Sequence, residues 1–226
     1  MHKSLDRKFI PALRYHAITG FYDTLVALLC REKAFKSALV TQAAIQPGHK
    51  VLDLGCGTGT TSFALKDACP GASILGVDAD SEVLARARTK RPECDVTFLR
   101  AFAQELDLSL GPFDRVVTSL FLHHVPTPER GAVLALVRRG MNEQGELHVA
   151  DWDRPANSLQ RFLFVFVRAL DGWELTRGHA EGRMEEWLLG AGFQDITKTH
   201  RFLTPLGTIS LWKAVVATSQ NTARED

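Results

Sequence analysis

Val51-Leu52-Asp53-Leu54-Gly55-Cys56-Gly57-Thr58-Gly59-Thr60 is the stretch on which the reading of this 226-residue chain turns. It starts as a short apolar run suited to a buried strand. It then breaks into three glycines at alternate positions and passes into helix-forming Ser62-Phe63-Ala64-Leu65-Lys66. A strand, a glycine turn and a helix start form one side of a nucleotide-type site in an open α/β sheet. Glycine serves such a turn twice: the backbone reaches angles that a Cβ forbids, and a ligand comes close to bare main chain.

The glycines alone fit two kinds of ligand. A dinucleotide-binding turn follows G-x-G-x-x-G, with the pyrophosphate on the helix N-terminus. Here the third glycine stands one position early, at Gly59, with Thr60 and Thr61 after it, and a carboxylate, Asp53, lies inside the strand just before the turn. A carboxylate so close repels a pyrophosphate and suits a ligand with an ammonium or sulfonium group. The balance points away from nicotinamide dinucleotides and towards S-adenosylmethionine.

Outward from this stretch, strands and helices alternate. The Val51–Leu54 strand is followed by a helix over Thr61–Ala68, a strand over Ser73–Val77 and a helix opened by Ser81 that runs to about Lys90. Strands over Asp95–Leu99 and Arg115–Ser119, a helix from Thr127-Pro128 to Arg139 and a fifth strand over Glu146–Ala150 complete the series. The alternation predicts a parallel, doubly wound sheet with right-handed crossovers. Beyond Asp151 the rhythm changes. Ser158–Leu170 is apolar and aromatic but too short to cross a membrane, which predicts a buried helix or a cap over a cleft. A helix over Glu181–Gly190 follows, and Ile196–Leu203 and Thr208–Ala217 flank Thr204-Pro205-Leu206-Gly207 as an antiparallel hairpin. On the other side, Phe21–Ala44 carries Leu25, Leu28, Leu29, Phe35 and Leu39 at helical spacing and closes at Pro47-Gly48. The expected organisation is a helical N-terminal lid or arm over 1–44, a ligand-binding domain over 45–217 and a polar tail over 218–226.

Composition narrows the function. Hydrophobic residues at 45% and charged residues at 23% are ordinary for a soluble globular protein, and a net charge of +1 provides no footprint for nucleic acid or an anionic membrane. The chain shows neither a membrane-spanning run nor a signal-peptide core, so a cytoplasmic location without membrane insertion is expected. Cys30, Cys56, Cys69 and Cys94 are scattered and form no C-x-x-C pair, which reads as reduced thiols and argues against zinc.

In a doubly wound sheet, ligands bind past the carboxyl ends of the strands. After the second strand stands Asp78, an acceptor-only carboxylate able to take both hydroxyls of a ribose. Its competing role is to cap the next helix, for which Asp80 and Ser81 are also available.

Val51–Thr60, Gly76-Val77-Asp78 and Asn142-Glu143-Gln144-Gly145-Glu146-Leu147 together resemble the class I S-adenosylmethionine-dependent methyltransferases. The resemblance is strongest to the ubiquinone/menaquinone-biosynthesis C-methyltransferase type, covering about residues 45–155 well and 190–217 more loosely. It implies a Rossmann-like sheet with a C-terminal antiparallel hairpin, and S-adenosylmethionine as the cofactor. Carried over by motif, it implies that Asp53, Gly55, Cys56, Gly57, Thr58 and Gly59 serve the methionine and ribose portion. Asp78 holds the ribose, Ala79 flanks the adenine, the loop Ala101-Phe102-Ala103-Gln104 reaches the adenine edge, with Phe102 and Ala103 its binding residues, and Ser119 approaches the methionine part. Many relatives have Asp or Asn where this chain has Phe102, so adenine recognition here would fall to Phe102 packing and the Ala103 backbone N–H. Tyr22-Asp23 is similar to the family's tyrosine-aspartate pair ahead of the first strand.

Methyl transfer asks mainly for alignment and exclusion of water, and needs a base only when the acceptor must lose a proton. Candidates at the cleft rim are His123 and His124 after the fourth strand and Asp151, Trp152 and Asp153 after the fifth, with His124 and Asp153 the catalytic choices. Trp152, Tyr15 and Tyr22 are candidates for the acceptor wall. Adjacent histidines point in different directions and lack zinc spacing, so no metal is expected, and helix packing competes with catalysis for His124. The acceptor reads as a small, partly apolar molecule with its C, O or N atom left open. No basic stripe or Asn/Asp-Pro-Pro-Tyr motif marks a nucleic-acid substrate. A monomer or homodimer is expected. The competing function is a sensor or scaffold that binds S-adenosylmethionine without transferring its methyl.

Overall fold

In the computed structural model, which describes residues 31–216, the glycine turn lies between β1 (Lys50–Leu54) and α2 (Thr60–Ala68), with α1 (Glu32–Ala43) ahead of them. The chain continues through β2 (Ser73–Asp78), α3 (Ser81–Lys90), β3 (Thr97–Arg100), β4 (Phe113–Ser119), α4 (Thr127–Arg139) and β5 (Met141–Asp153). Three helices follow, α5 (Ser158–Asp171), α6 (Trp173–Glu181) and α7 (Met184–Gly190), and then β6 (Phe193–Thr204) and β7 (Gly207–Val216). The strands form one seven-stranded sheet in the order β3-β2-β1-β4-β5-β7-β6. β1 to β5 run parallel, while β7 is antiparallel to both of its neighbours. The strand order therefore reverses between β1 and β4. That is the switch point at which such a sheet opens a crevice.

Val51 to Leu54 are all buried, as a central parallel strand covered on both faces requires. Strand alternation divides them between two cores. Leu52 and Leu54 join Val133, Leu134 and Val137 of α4 and Leu188 of α7. Val51 joins Phe35 and Leu39 of α1, Leu65 of α2 and Phe164 of α5. One layer thus carries α1, α2 and α5, and the other α4 and α7.

Several boundaries differ from the sequence expectation. The fifth strand is 13 residues long and not confined to Glu146–Ala150. Its far half pairs with β7 from Glu146↔Val215 to Asp153↔Thr208, and its start pairs Phe113↔Met141 across an irregularity that absorbs the turn-like Asn142–Gly145. The third strand lies over Thr97–Arg100 instead of Asp95–Leu99. The single helix expected over Glu181–Gly190 is the end of α6 and all of α7, divided where Gly182 adopts φ +77°. Tyr15, Tyr22 and most of the expected N-terminal arm lie outside the described residues, as does the tail over 218–226. Among the described residues no helix is long and apolar enough to cross a membrane.

Candidate active site

The turn after β1 is shaped by glycines with separate jobs. Gly55, Gly57 and Gly59 all take positive φ, at +73°, +52° and +74°. A Cβ on Gly55 would lie 2.3 Å from the Phe121 ring, and one on Gly59 2.7 Å from Phe98. A Cβ on Gly57 would meet nothing within 4 Å. The outer two glycines therefore admit neighbouring aromatic rings. Gly57 alone bares its main chain to open space, as close approach of a ligand demands.

The end of β2 holds this turn in place. Gly55 N–H and Cys56 N–H donate to Val77 O at 2.8 and 3.1 Å. Gly57 N–H donates to Asp78 Oδ2 and Asp80 N–H to Asp78 Oδ1, each at 2.9 Å. Capping of α3 falls to Asp80, whose carboxylate accepts from Glu82 N–H at 2.8 Å and Val83 N–H at 3.4 Å. Asp78 is thus a brace between the two loops and not the helix cap. Each of its oxygens accepts one of these hydrogen bonds and has a second lone pair for a hydroxyl.

These loops open a cleft of about 570 Å³. Gly55, Cys56, Gly57, Thr58, Asp78, Ala79, Phe102, Ala103, Ser119 and His124 all line it, so ten of the residues singled out in the sequence converge. Asp53, Gly59, Trp152 and Asp153 do not line it.

Asp53 is fully buried under the turn, with Oδ2 accepting from Ser62 Oγ at 2.5 Å and Oδ1 without a hydrogen-bond partner among the described residues. Burial pushes its carboxyl up to about 6, against the lowering effect of the Ser62 hydrogen bond. Asp153 is also buried and fully engaged. One oxygen accepts from Lys198 Nζ and Ser210 Oγ, both at 2.6 Å, and the other from Arg154 N–H at 2.7 Å. It anchors the β6–β7 hairpin to the end of β5, and its placement removes it from the set of cleft bases. Alternation along β5 turns Trp152 away from the cleft, onto the Phe164 ring of α5 at 5.4 Å. On α5 itself Phe164 and Val167 are core, whereas Leu159, Phe162 and Phe166 are exposed and do not line the cleft.

The opposite side of the cleft is built around the short turn Leu122–His124. His124 is half-buried and lines the cleft with Leu120, Phe121, Val125 and Leu175. Two buried opposite charges clamp this turn. On one side Asp151 Oδ1 accepts from His123 Nδ1 at 2.7 Å and from Trp152 N–H at 2.8 Å, and Oδ2 accepts from His123 N–H at 3.3 Å. On the other side Arg130 of α4, fully buried, donates from Nε to Leu122 O and Val125 O, both at 2.9 Å. Arg130 Nη2 also donates to Leu175 O and so ties α6 to the cleft. Burial raises the Asp151 carboxyl, but His123 and His179 outweigh it and hold the group well below the ordinary carboxylate range. Burial, reinforced by neighbouring His123, lowers His124 to about 3. The imidazole at the cleft is therefore neutral at physiological pH and keeps a lone pair to accept a hydrogen bond, while the same lowering makes it a weak base.

Three features of this site were not foreseen. Arg130 is one; it shares the buried α4 face with Val133, Leu134 and Val137, and a charge at a core position of an amphipathic helix is the signal that marks it. The contribution of α6 through Leu175 is the second. The third is Leu120, a non-glycine residue at φ +51° whose N–H donates to Ala150 O at 2.8 Å. Glu32 and Lys36 of α1, ion-paired at 2.5 Å, also line the cleft. Among the described residues no group of three or more His, Cys, Asp or Glu side chains is arranged to hold a metal.

Residues 51–145 match the family described as methyltransferase domain. The chain is 34% identical over 128 residues to an uncharacterized methyltransferase of Synechocystis sp., covering 57% of this chain and 58% of that protein. It is 26% identical over 235 residues to the demethylmenaquinone methyltransferase of Beutenbergia cavernae, covering 92% of this chain and 94% of the relative. The chain thus spans little more than half of the first relative and nearly all of the second. The fold is shared with the crystal structure of the magnesium protoporphyrin IX methyltransferase of Synechocystis with bound S-adenosylhomocysteine. The TM-score is 0.65 at 23% identity, with 87% of this chain and 86% of that one covered.

Proposed function

We propose that this chain, which belongs to the class I S-adenosylmethionine-dependent methyltransferases, methylates a small, partly apolar acceptor held against the His124 wall of its cleft. The observation that carries the reading is one cleft lined both by the open Gly57 main chain braced on Asp78 and by the His124 imidazole among apolar side chains. When bound, S-adenosylmethionine supplies an electrophilic methyl on a sulfonium.

The residues present suit that cofactor. Asp78 offers lone pairs to a ribose diol, and Gly57 lets the ligand approach the main chain. Asp53, with a titration point near 6, is mostly ionised at neutral pH. Its unpartnered Oδ1 beneath the turn favours a positive charge nearby. Cys56, Thr58 and Ser119 complete the methionine side, and Ala79, Phe102 and Ala103 the adenine side.

On the acceptor side, Leu120, Phe121, Val125 and Leu175 exclude water, and His124 orients the acceptor by accepting its hydrogen bond, taking the proton only once methyl transfer has made the acceptor strongly acidic. A demethylated menaquinone nucleus, as the name of the Beutenbergia relative implies for that protein, is the first acceptor to try, in its reduced quinol form, because the electron-poor quinone is no nucleophile towards a sulfonium methyl. We place the reaction in the cytoplasm.

Calorimetric titration with S-adenosylmethionine and S-adenosylhomocysteine tests the cofactor half, and no measurable binding of either would sink it. Transfer of a labelled methyl to a panel of demethylated quinols, phenols and amines tests the acceptor half. Binding without transfer to any of them would favour a sensor.

A further inference from the structure

Adenine presents an amino donor at C6, and a site that selects adenine over other purines needs an acceptor facing it. The phenyl group of Phe102 has no oxygen or nitrogen to offer. Two residues further on, the turn Ala103–Glu105 carries Gln104, and from the facing helix α4 comes Glu129. Gln104 Nε2 donates to Glu129 Oε2 at 2.6 Å. Both side chains are half-buried, and both line the cleft beside Ala79 and Ala103.

The partner decides which way the carboxamide points. A carboxylate at neutral pH only accepts hydrogen bonds, so Glu129 requires the amide nitrogen on its side and turns the amide oxygen away. That oxygen receives no hydrogen bond from the described residues.

We propose that Gln104, oriented by Glu129, reads the 6-amino group of adenine and makes this cleft selective for adenosyl ligands over other purine nucleosides. The proposal rests on the reading of the cleft as an S-adenosylmethionine site. Hypoxanthine carries a carbonyl oxygen at C6 where adenine carries N–H₂, so an amide oxygen held in place attracts one and repels the other. Glu129 is a positioning residue: without its charge the carboxamide can flip and offer its own N–H₂.

The test is titration with two probes, S-adenosylhomocysteine and S-inosylhomocysteine. Wild-type protein should prefer the adenosyl ligand by about 10- to 100-fold, the worth of one hydrogen bond gained against one acceptor pair opposed. Gln104→Ala should reduce the preference below about threefold by weakening adenosyl binding. Glu129→Gln should narrow it chiefly by improving inosyl binding, which a merely structural role would not do. Asp78→Ala should weaken both ligands alike and keep their ratio. Equal binding of the two probes by the wild type overturns the proposal, and so does an undiminished preference in Gln104→Ala. If Gln104→Ala does not fold, an undiminished preference in Glu129→Gln overturns it. In each of these cases the cofactor reading stands. Failure of the wild type to bind either probe removes both.

Discussion

The two walls of the cleft are made in different ways. The proposed donor wall runs from Gly55 to Thr58 and on to Asp78, and most of its hydrogen bonds link main chain to main chain or to a single carboxylate. The proposed acceptor wall rests on a turn of three residues, of which His124 lines the cleft, held by side chains from elsewhere, Asp151 from the end of β5 and Arg130 from α4. The first wall needs glycine and one acid at fixed local spacing. The second needs buried charges held by fixed polar partners, the Asp151 carboxylate by His123 and the Arg130 guanidinium by main-chain carbonyls, and a charge left unsatisfied in the core is costly. On the proposed function, donor recognition is thus assigned to the backbone, and acceptor chemistry to the core behind it.

That contrast can be broken first at His124. His124→Gln should lower the rate of methyl transfer by about 10²- to 10⁴-fold if the imidazole handles a proton, while changing S-adenosylhomocysteine affinity less than about twofold. Single-turnover transfer of labelled methyl and calorimetry together would show it; a matching loss in cofactor affinity would mean that the two walls are not separable. The converse change, Asp78→Ala, should weaken S-adenosylhomocysteine by about 100-fold, since two hydroxyl hydrogen bonds to a charged group and the brace on Gly57 are lost together. Unaltered affinity would remove Asp78 from the ribose.

The same contrast decides what could be read without the structure. Val51–Thr60 and Asp78 were legible because the turn, its glycines and its brace lie within one strand–helix–strand unit. The pairing of His123 with Asp151 spans 28 residues of chain and depends on β4 and β5 being neighbours, so the two residues could be named as rim candidates but not joined. Asp153 shows the opposite failure. Its position just past the last expected strand residue suggested a free carboxylate, whereas β5 continues through it and pairs it with the hairpin. Helix α6 went unseen because its buried residues, Thr176, Gly178 and His179, are not apolar, and its contacts are polar hooks and ring edges instead.

A smaller effect sharpens the comparison within the donor wall. Gly55→Ala should cost about 2–5 kcal/mol, combining a left-handed backbone with displacement of the Phe121 ring, whereas Gly57→Ala should cost only the backbone strain of about 1–2 kcal/mol. Gly57→Ala should nonetheless impair cofactor binding more for each unit of stability lost. Urea titration monitored by circular dichroism, alongside calorimetry, separates the two.

The smallest effect is a pH slope in stability from the acceptor side. Burial lowers His179 to about 4, although nearby Asp151 opposes the shift. Between that value and the ordinary histidine range near 6.5, the unfolded chain binds a proton that the folded one does not. This contribution is fully present above pH 6.5 and is lost as pH falls towards 4, by up to about 1.4 kcal/mol per pH unit. His124, lowered in the same direction, adds to it. Asp53 acts in the opposite sense, because its raised folded value costs stability as pH climbs from about 4 to 6. Unfolding free energies at pH 7.0 and 5.5 should therefore differ less in His179→Gln than in the wild type; equal differences would show that His179 is not held neutral.

Leu120 sets stability and turnover against each other at a single position. Its left-handed backbone costs about 1–2 kcal/mol that asparagine or glycine would largely avoid, yet its side chain is part of the apolar wall of the cleft. A population of variants selected only for resistance to heat should drift to Asn or Gly at this site. One selected for turnover should return to Leu, and the ratio of the two after sorting would measure how strongly the acceptor depends on that wall.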